Sequence, residues 1–212
     1  MNGLYPIVDL DTLSKTGFSP LDFAERVLRA RPPLLQLRAK HASARHTLEL
    51  LLALKPACAA AGTLLFANDR PDLAVLAGAD GVHVGQDDLS VEDVRAFAPQ
   101  LKVGVSTHDS EQLQSALAAR PDYVAFGPVF PTRSKHNPEP VVGLAALAEA
   151  RRRAHERGIR LVAIGGIDAA RLAELAPLGV SVSLISALVA PSLDEVEARA
   201  RELSRLFESQ PT

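Results

Sequence analysis

Leu4-Tyr5-Pro6-Ile7-Val8-Asp9 is the first apolar run of the chain, and the residues just after it separate two architectures. A buried parallel strand reads as a short, nearly continuous stretch of apolar residues. In a doubly wound nucleotide-binding sheet the first such stretch leads into Gly-x-Gly-x-x-Gly, whose glycines let the backbone close on a pyrophosphate. Here it leads into Asp9 and a polar segment, with no such glycine pattern.

Seven more runs of the same kind lie further along, so strands are predicted at 4–8, 34–37, 63–67, 81–84, 102–105, 123–126, 161–164 and 180–185. Helical spacing fills the intervals, at 19–30, 43–61, 71–77, 91–98, 110–119, 143–157, 169–176 and 192–208. Ser19-Pro20 reads as an N-cap with proline at the first helical position, and Ser192 with Glu195 as a capping box. Alternating strands and helices call for parallel strands joined by right-handed crossovers. Eight such units are predicted to close as an α/β fold of the (β/α)8 TIM barrel type, because closure removes both exposed sheet edges; an open doubly wound sheet is the alternative. No linker divides the sequence, so residues 1–212 are expected to form a single barrel domain.

Composition narrows the function. Of 212 residues 47% are hydrophobic, enough for a substantial core. Lys+Arg 23 against Asp+Glu 25 leaves a net charge of -2, without the positive field that draws nucleic acid or an anionic membrane, so neither partner is expected. Cys58 is the only cysteine, which excludes a disulfide framework and a multi-cysteine zinc site. With no signal-peptide pattern and no apolar run long enough to span a bilayer, a cytoplasmic location is expected.

In such a barrel, chemistry gathers at the carboxyl ends of the strands. Those ends read Asp9; Gln36, Arg38 and Lys40; Asn68 and Asp69; Gln86, Asp87 and Asp88; Ser106, Thr107 and His108; Thr132, Arg133, Ser134 and Lys135; Gly165 and Gly166; Ser186. The opposite ends carry Arg31, Asp80, Asp122 and Arg160, read as ordinary surface residues. Gln36, Arg38 and Lys40 are spaced by two, so an extended backbone points all three toward the mouth; the alternative is that the two cations solvate a loop. Asp69 and Asp88 follow neighbouring strands and are placed to share a hard cation such as Mg²⁺, or else to cap helices. Two carboxylates are few for a protein-only cage, and the count implies a substrate whose phosphate oxygens complete the coordination. Gly165-Gly166-Ile167-Asp168 and Ser186-Ala187 stand where barrels bind phosphate through backbone N–H groups, unless the glycines only form a tight turn. Thr132, Ser134 and Lys135 lie on the longest loop, 127–142, read as a lid over the site. His83, between Val82 and Val84, reads as a satisfied internal histidine, and His108 has no partner evident in the sequence. Cys58 reads as a small core residue, Asp87 as a solvated neighbour of Asp88, and Arg151-Arg152-Arg153 as a solvated helix face.

From about Leu4 to Ala187 the chain resembles the thiamine-phosphate synthase (thiamine phosphate pyrophosphorylase) family. The motifs, in order, are Gln36-Leu37-Arg38-Ala39-Lys40, Asn68-Asp69-Arg70, Gly81-Val82-His83-Val84-Gly85-Gln86-Asp87-Asp88, Gly104-Val105-Ser106, Gly127-Pro128-Val129-Phe130-Pro131-Thr132-Arg133-Ser134-Lys135 and Ile164-Gly165-Gly166-Ile167. The resemblance implies a (β/α)8 transferase. It would couple hydroxymethylpyrimidine diphosphate to thiazole phosphate with Mg²⁺, releasing diphosphate and forming thiamine phosphate. It further implies Asp69 and Asp88 as metal ligands, and Gln36, Arg38, Lys40, Asn68, Ser106 and Lys135 as contacts to the pyrimidine diphosphate, with Arg38, Lys40, Ser106 and Lys135 in catalytic roles. Thr132, Ser134, Gly166, Ile185 and Ser186 would form the thiazole phosphate site. Ala39 stands where the family commonly has an acidic residue, Arg133 interrupts the Thr-x-x-Lys stretch, and Ser134 replaces a commoner threonine. The rival readings are a thiazole tautomerase-like isomerase, which uses a histidine where this chain has Pro128, another phosphate-binding barrel enzyme, and a non-catalytic barrel that binds thiazole phosphate.

Overall fold

The computed structural model describes residues 3–132 and 139–208. Its elements are β1 (Leu4–Asp9), α1 (Leu10–Leu13), α2 (Pro20–Leu28), β2 (Leu34–Arg38), α3 (Ala44–Ala61), β3 (Leu64–Asn68), α4 (Pro71–Ala77), β4 (Gly81–Val84), α5 (Val91–Phe97), β5 (Lys102–Thr107), α6 (Ser110–Ala119), β6 (Tyr123–Phe126), α7 (Gly143–His155), β7 (Arg160–Ala163), α8 (Ala169–Leu175), β8 (Ser181–Leu184) and α9 (Leu193–Glu208). The strands pair in parallel in chain order and β1 closes on β8, giving the expected (β/α)8 barrel. All eight strands form where the apolar runs place them, their ends shifted by two residues or fewer. The short α1 is an addition that helical spacing does not predict. Asp9 nucleates it by accepting from the Thr12 backbone N–H at 2.8 Å and from its hydroxyl at 2.7 Å.

Strand periodicity divides the interior into two cores. Side chains that point outward, such as Val8, Leu37, Leu65, Val82, Val103, Val124 and Leu184, are aliphatic and pack under the helices in one continuous cluster. Those that point inward form a second, smaller cluster of Tyr5, Leu34, Phe66, Tyr123, Ala125 and Val162. The inner cluster needs two glycines. A Cβ on Gly104 would sit 2.0 Å from the Tyr123 ring, and one on Gly81 would sit 2.5 Å from Phe66. Each glycine thus makes room for the ring on its paired strand, Gly104 opposite Tyr123 and Gly81 opposite Phe66. Cys58 lies wholly in the outer core, and burial pushes its thiol up to about 12.

Helix starts obey local chemistry with two differences from expectation. Pro20 opens α2 as predicted, but the Ser19 hydroxyl makes no cap bond. Ser192 accepts from the Glu195 N–H at 3.3 Å, while the Glu195 carboxylate accepts from the Ser192 hydroxyl instead of from its backbone. A complete capping box forms instead at Ser90 and Asp93. Helix α3 runs through Pro56, and the carbonyl deprived of its i+4 donor belongs to half-exposed Leu52, where water can reach it.

The lower rim corrects one expectation. Asp80 and Asp122 are structural clamps, not ordinary surface residues. Asp80 accepts the Leu65 N–H at 2.8 Å and the Lys55 ammonium at 2.7 Å. Asp122 accepts the Val103 N–H at 2.9 Å with Lys102 at 3.6 Å. Each carboxylate ties down a strand-start N–H that the parallel ladder leaves over. Among the described residues no helix is long and apolar enough to cross a membrane.

Candidate active site

A cavity opens at the carboxyl-end mouth of the barrel. Gln36, Arg38, Lys40, Asn68, Asp69, Ser106, Thr132, Gly166, Ile185 and Ser186 all line it. Asp88 stands at its rim beside Asp69. Ser134 and Lys135, with Arg133, lie outside the described residues.

The inward parity of β1 and β2 builds the cationic arm. Ile7 pairs with Gln36 and Asp9 with Arg38, so side chains of like parity meet across the ladder. Buried Asp9 holds the Arg38 guanidinium in a direct ion pair, and Asp11 stands 3.8 Å from it. Arg38 is therefore an anchored cation facing the cavity, not a solvated loop residue. Lys40, beyond the end of β2, keeps the direction but is half exposed, 3.9 Å from the Asp69 carboxylate.

The carboxylate pair depends on a break in alternation. Asn68 points inward from β3, so an extended Asp69 would point out toward the helices. Asp69 instead takes φ +62°, in the left-handed region that Asp tolerates better than most residues, and both side chains line the cavity. Asp88 is fixed by the Gly85 N–H at 2.7 Å. Neither carboxylate caps a helix, since Arg70 precedes α4 and Ser90 caps α5. Burial first, and then the facing Asp88 carboxylate, push Asp69 up to about 6, against the pull of Lys40 and Arg38. Two hard oxygen donors held against their mutual repulsion match the donor chemistry of a divalent cation.

On the β7 and β8 side, Gly165 (φ +92°) and Gly166 (φ +65°) make the cradle. A Cβ on Gly165 would sit 2.4 Å from Pro128, and one on Gly166 2.3 Å from the Pro131 carbonyl oxygen, so only glycine fits both. The carbonyls of Ile164, Gly165 and Gly166 are engaged by the Val129 N–H, the Phe130 N–H and the Arg171 guanidinium. Arg171 also stacks 4.8 Å over the Phe130 ring. No described acceptor takes the Gly165 or Gly166 N–H, which leaves both for a ligand oxygen.

The sequence does not single out several of the cavity residues. Tyr5, Ile7 and Ala125 form the floor with Ile164 of the glycine motif, and Glu139 and Ser183 the walls with Pro128. Asp9 reads from sequence as a strand-end residue without a role, although its parity with Arg38 is a usable signal. His83 is satisfied on both ring nitrogens, by the Tyr123 hydroxyl at 2.8 Å and the Ser106 hydroxyl at 2.8 Å, yet it also lines the cavity. His108 does have partners. Its Nδ1 lies 2.5 Å from the Gly127 carbonyl oxygen, and its backbone N–H donates to Gln112 at 2.8 Å. Asp87 is exposed, and Arg152 pairs with Glu149 and Glu156 on the surface of α7.

Fold and mouth together define the class as a (β/α)8 barrel whose candidate active site lies at the carboxyl ends of its strands. Residues 4–188 match the family model for thiamine monophosphate synthase. The thiamine-phosphate synthase of Koribacter versatilis is 43% identical over 210 residues, covering 97% of this chain and 96% of its own. That of Methanocella arvoryzae is 38% identical over 206 residues, covering 96% and 94%. The solved thiamine phosphate pyrophosphorylase of Pyrococcus furiosus superposes with a TM-score of 0.84 at 29% identity, covering 97% of this chain and 95% of that one. The chain belongs to the thiamine monophosphate synthase family, and its activity is that of a transferase of thiamine biosynthesis.

Proposed function

We propose that the cavity binds hydroxymethylpyrimidine diphosphate on the β2–β5 side and thiazole phosphate on the β7–β8 side, and joins them into thiamine phosphate. The observation that carries this reading is their opposition. In a closed barrel of eight strands in chain order, β3 and β4 lie across from β7 and β8. The charged residues that suit a diphosphate thus face the neutral glycine cradle that suits a monophosphate, with the apolar floor between them.

In this reading the bond between the pyrimidine methylene carbon and the diphosphate oxygen breaks, and its electron pair leaves with diphosphate. The thiazole nitrogen lone pair then forms the new carbon–nitrogen bond. Arg38 and Lys40 stabilise the charge that builds on the leaving group, and Lys135 is assigned the same task from its place in the motif. Holding both substrates in line supplies most of the remaining acceleration. No general base is needed, and Pro128, at the position of the tautomerase-like histidine, has no proton to give. Asp69 and Asp88 would hold Mg²⁺, which when bound neutralises diphosphate charge that the three cations leave unbalanced.

The test is incubation of the purified protein with both substrates, with and without chelator, tracking thiamine phosphate by mass and diphosphate release. The expected result is product that disappears with chelator and returns with Mg²⁺. Absence of product with every divalent metal overturns the reading. Ligand-dependent stabilisation without turnover would mark a carrier instead.

A further inference from the structure

Along the cavity floor a continuous chain of side-chain hydrogen bonds crosses the barrel interior through β2, β1, β6, β4 and β5. The Gln36 amide nitrogen donates to the Tyr5 hydroxyl. Tyr5 and Tyr123 share a bond of 2.7 Å, Tyr123 reaches His83 Nδ1 at 2.8 Å, and His83 Nε2 reaches the Ser106 hydroxyl at 2.8 Å. Only the two ends, Gln36 and Ser106, are assigned above as ligand contacts. Tyr123, at the centre, does not line the cavity. Its ring stacks on His83 at 5.6 Å and meets Tyr5 edge-on at 5.7 Å, in the space that Gly104 provides.

Such a chain has a direction, because each hydroxyl carries one proton. Tyr5 accepts from Gln36, so its own proton goes to Tyr123; were Tyr123 to donate instead, the Tyr5 proton would be left buried with no described acceptor. The Tyr123 proton then goes to His83 Nδ1, and the imidazole carries its proton on Nε2 and donates it to Ser106. Burial holds both phenols well above their ordinary range, so each keeps the proton that the relay requires. At the cavity the result is a polarised pair. The Gln36 carbonyl oxygen, with no described donor, is an acceptor, and the Ser106 hydroxyl proton is free to be donated.

We propose that Tyr123 is a positioning residue that locks this polarity, so that the cavity selects a pyrimidine presenting an amino donor beside a ring-nitrogen acceptor and rejects the 4-oxo analogue. The proposal rests on the pyrimidine diphosphate reading above. An oxo group would face the Gln36 oxygen, and the N–H of the oxo tautomer would face the Ser106 proton. A site built to hydrogen-bond its substrate discriminates strongly, because a mismatched analogue leaves buried groups unpaired. Without the Tyr123 hydroxyl the two ends decouple. The amide can turn over, the imidazole can change tautomer, and either end can accept or donate.

The experiment compares wild type and Tyr123→Phe with the 4-amino and 4-oxo pyrimidine diphosphates, measuring kcat and each KM, beside a thermal melt. Expected for Tyr123→Phe is a rise of about tenfold in KM for the aminopyrimidine, an unchanged KM for thiazole phosphate, and a fall of at least about tenfold in discrimination between the two pyrimidines. Retained discrimination, or equal rises in both KM values, overturns the proposal. Should Tyr123→Phe fail to fold, His83→Gln breaks the same relay one link away and is held to the same discrimination readout. A wild type that makes no product would count against the substrate assignment, whereas an active wild type with an indifferent variant counts only against the relay.

Discussion

Replacing Asp9 by Asn tests how the site holds its principal cation. The carboxylate is 2% exposed and divides its work, one oxygen accepting from the Thr12 N–H and hydroxyl while the other pairs with Arg38, whose side chain is 15% exposed. Asparagine keeps one acceptor. Turned toward Thr12, it sets an NH2 group against the guanidinium, donor against donor, and Arg38 loses its anchor. A hydrogen bond to a charged group contributes about 1.5–3 kcal/mol, and so little exposure calls for little discount. At about 2–4 °C per kcal/mol for a chain of this size, the melting temperature should fall by about 3–12 °C. A freed Arg38 must also be ordered again when diphosphate binds, so KM for the pyrimidine diphosphate should rise at least about tenfold, equivalent to about 1.4 kcal/mol. KM for thiazole phosphate, which the proposal assigns to the far side of the barrel, should not move. Circular-dichroism melts and steady-state kinetics with each substrate varied in turn measure both effects. A variant that melts with the wild type and keeps its diphosphate KM would refute the anchoring role of Asp9.

Four other substitutions probe the site and its scaffold. Asp69→Ala and Lys135→Ala should each lower turnover by at least about tenfold, or 1.36 kcal/mol in the barrier, in a coupled diphosphate-release assay; wild-type turnover in either variant removes its assigned role. Gly166→Ala forces a Cβ to 2.3 Å from the Pro131 carbonyl at φ +65° and should raise KM for thiazole phosphate at least about tenfold while sparing the pyrimidine KM, and an unchanged thiazole KM would show that the cradle is misassigned. Asp80→Ala strands the buried Leu65 N–H at a cost of about 1–3 kcal/mol, so urea denaturation should register that loss while kcat and both KM values stay put; altered kinetics would contradict a purely structural clamp.

The barrel is legible because its signal is repeated and local. Each strand is a short apolar run, each interval has helical spacing, and a period of two fixes which residues face inward once the strand is placed. That parity puts Gln36 and Arg38 at the mouth. It also puts Asp9 there, but parity alone does not pair Asp9 with Arg38, which requires the β1–β2 register. Asp69 shows the limit of parity. Counted from Asn68 it belongs outside, and a single left-handed residue returns it to the cavity. His108 and the rim carboxylates Asp80 and Asp122 defeat a sequence reading for one reason: their partners, Gly127, Leu65 and Val103, come from neighbouring strands and loops.

The order of residues alone determines this protein's eightfold architecture, its family and the identity of most mouth residues, because periodicity and motif are properties of neighbouring positions on the chain. Tertiary structure alone decides which groups meet: the Asp9–Arg38 anchor across the β1–β2 ladder, the opposition of the charged and glycine-lined sides of the mouth, and the hydrogen-bond chain from Gln36 to Ser106. Those contacts join residues separated by 29 positions for Asp9 and Arg38 and by 118 for Tyr5 and Tyr123; the pairing of β1 with β2 brings the first two together, and the curling of the sheet into a barrel the second.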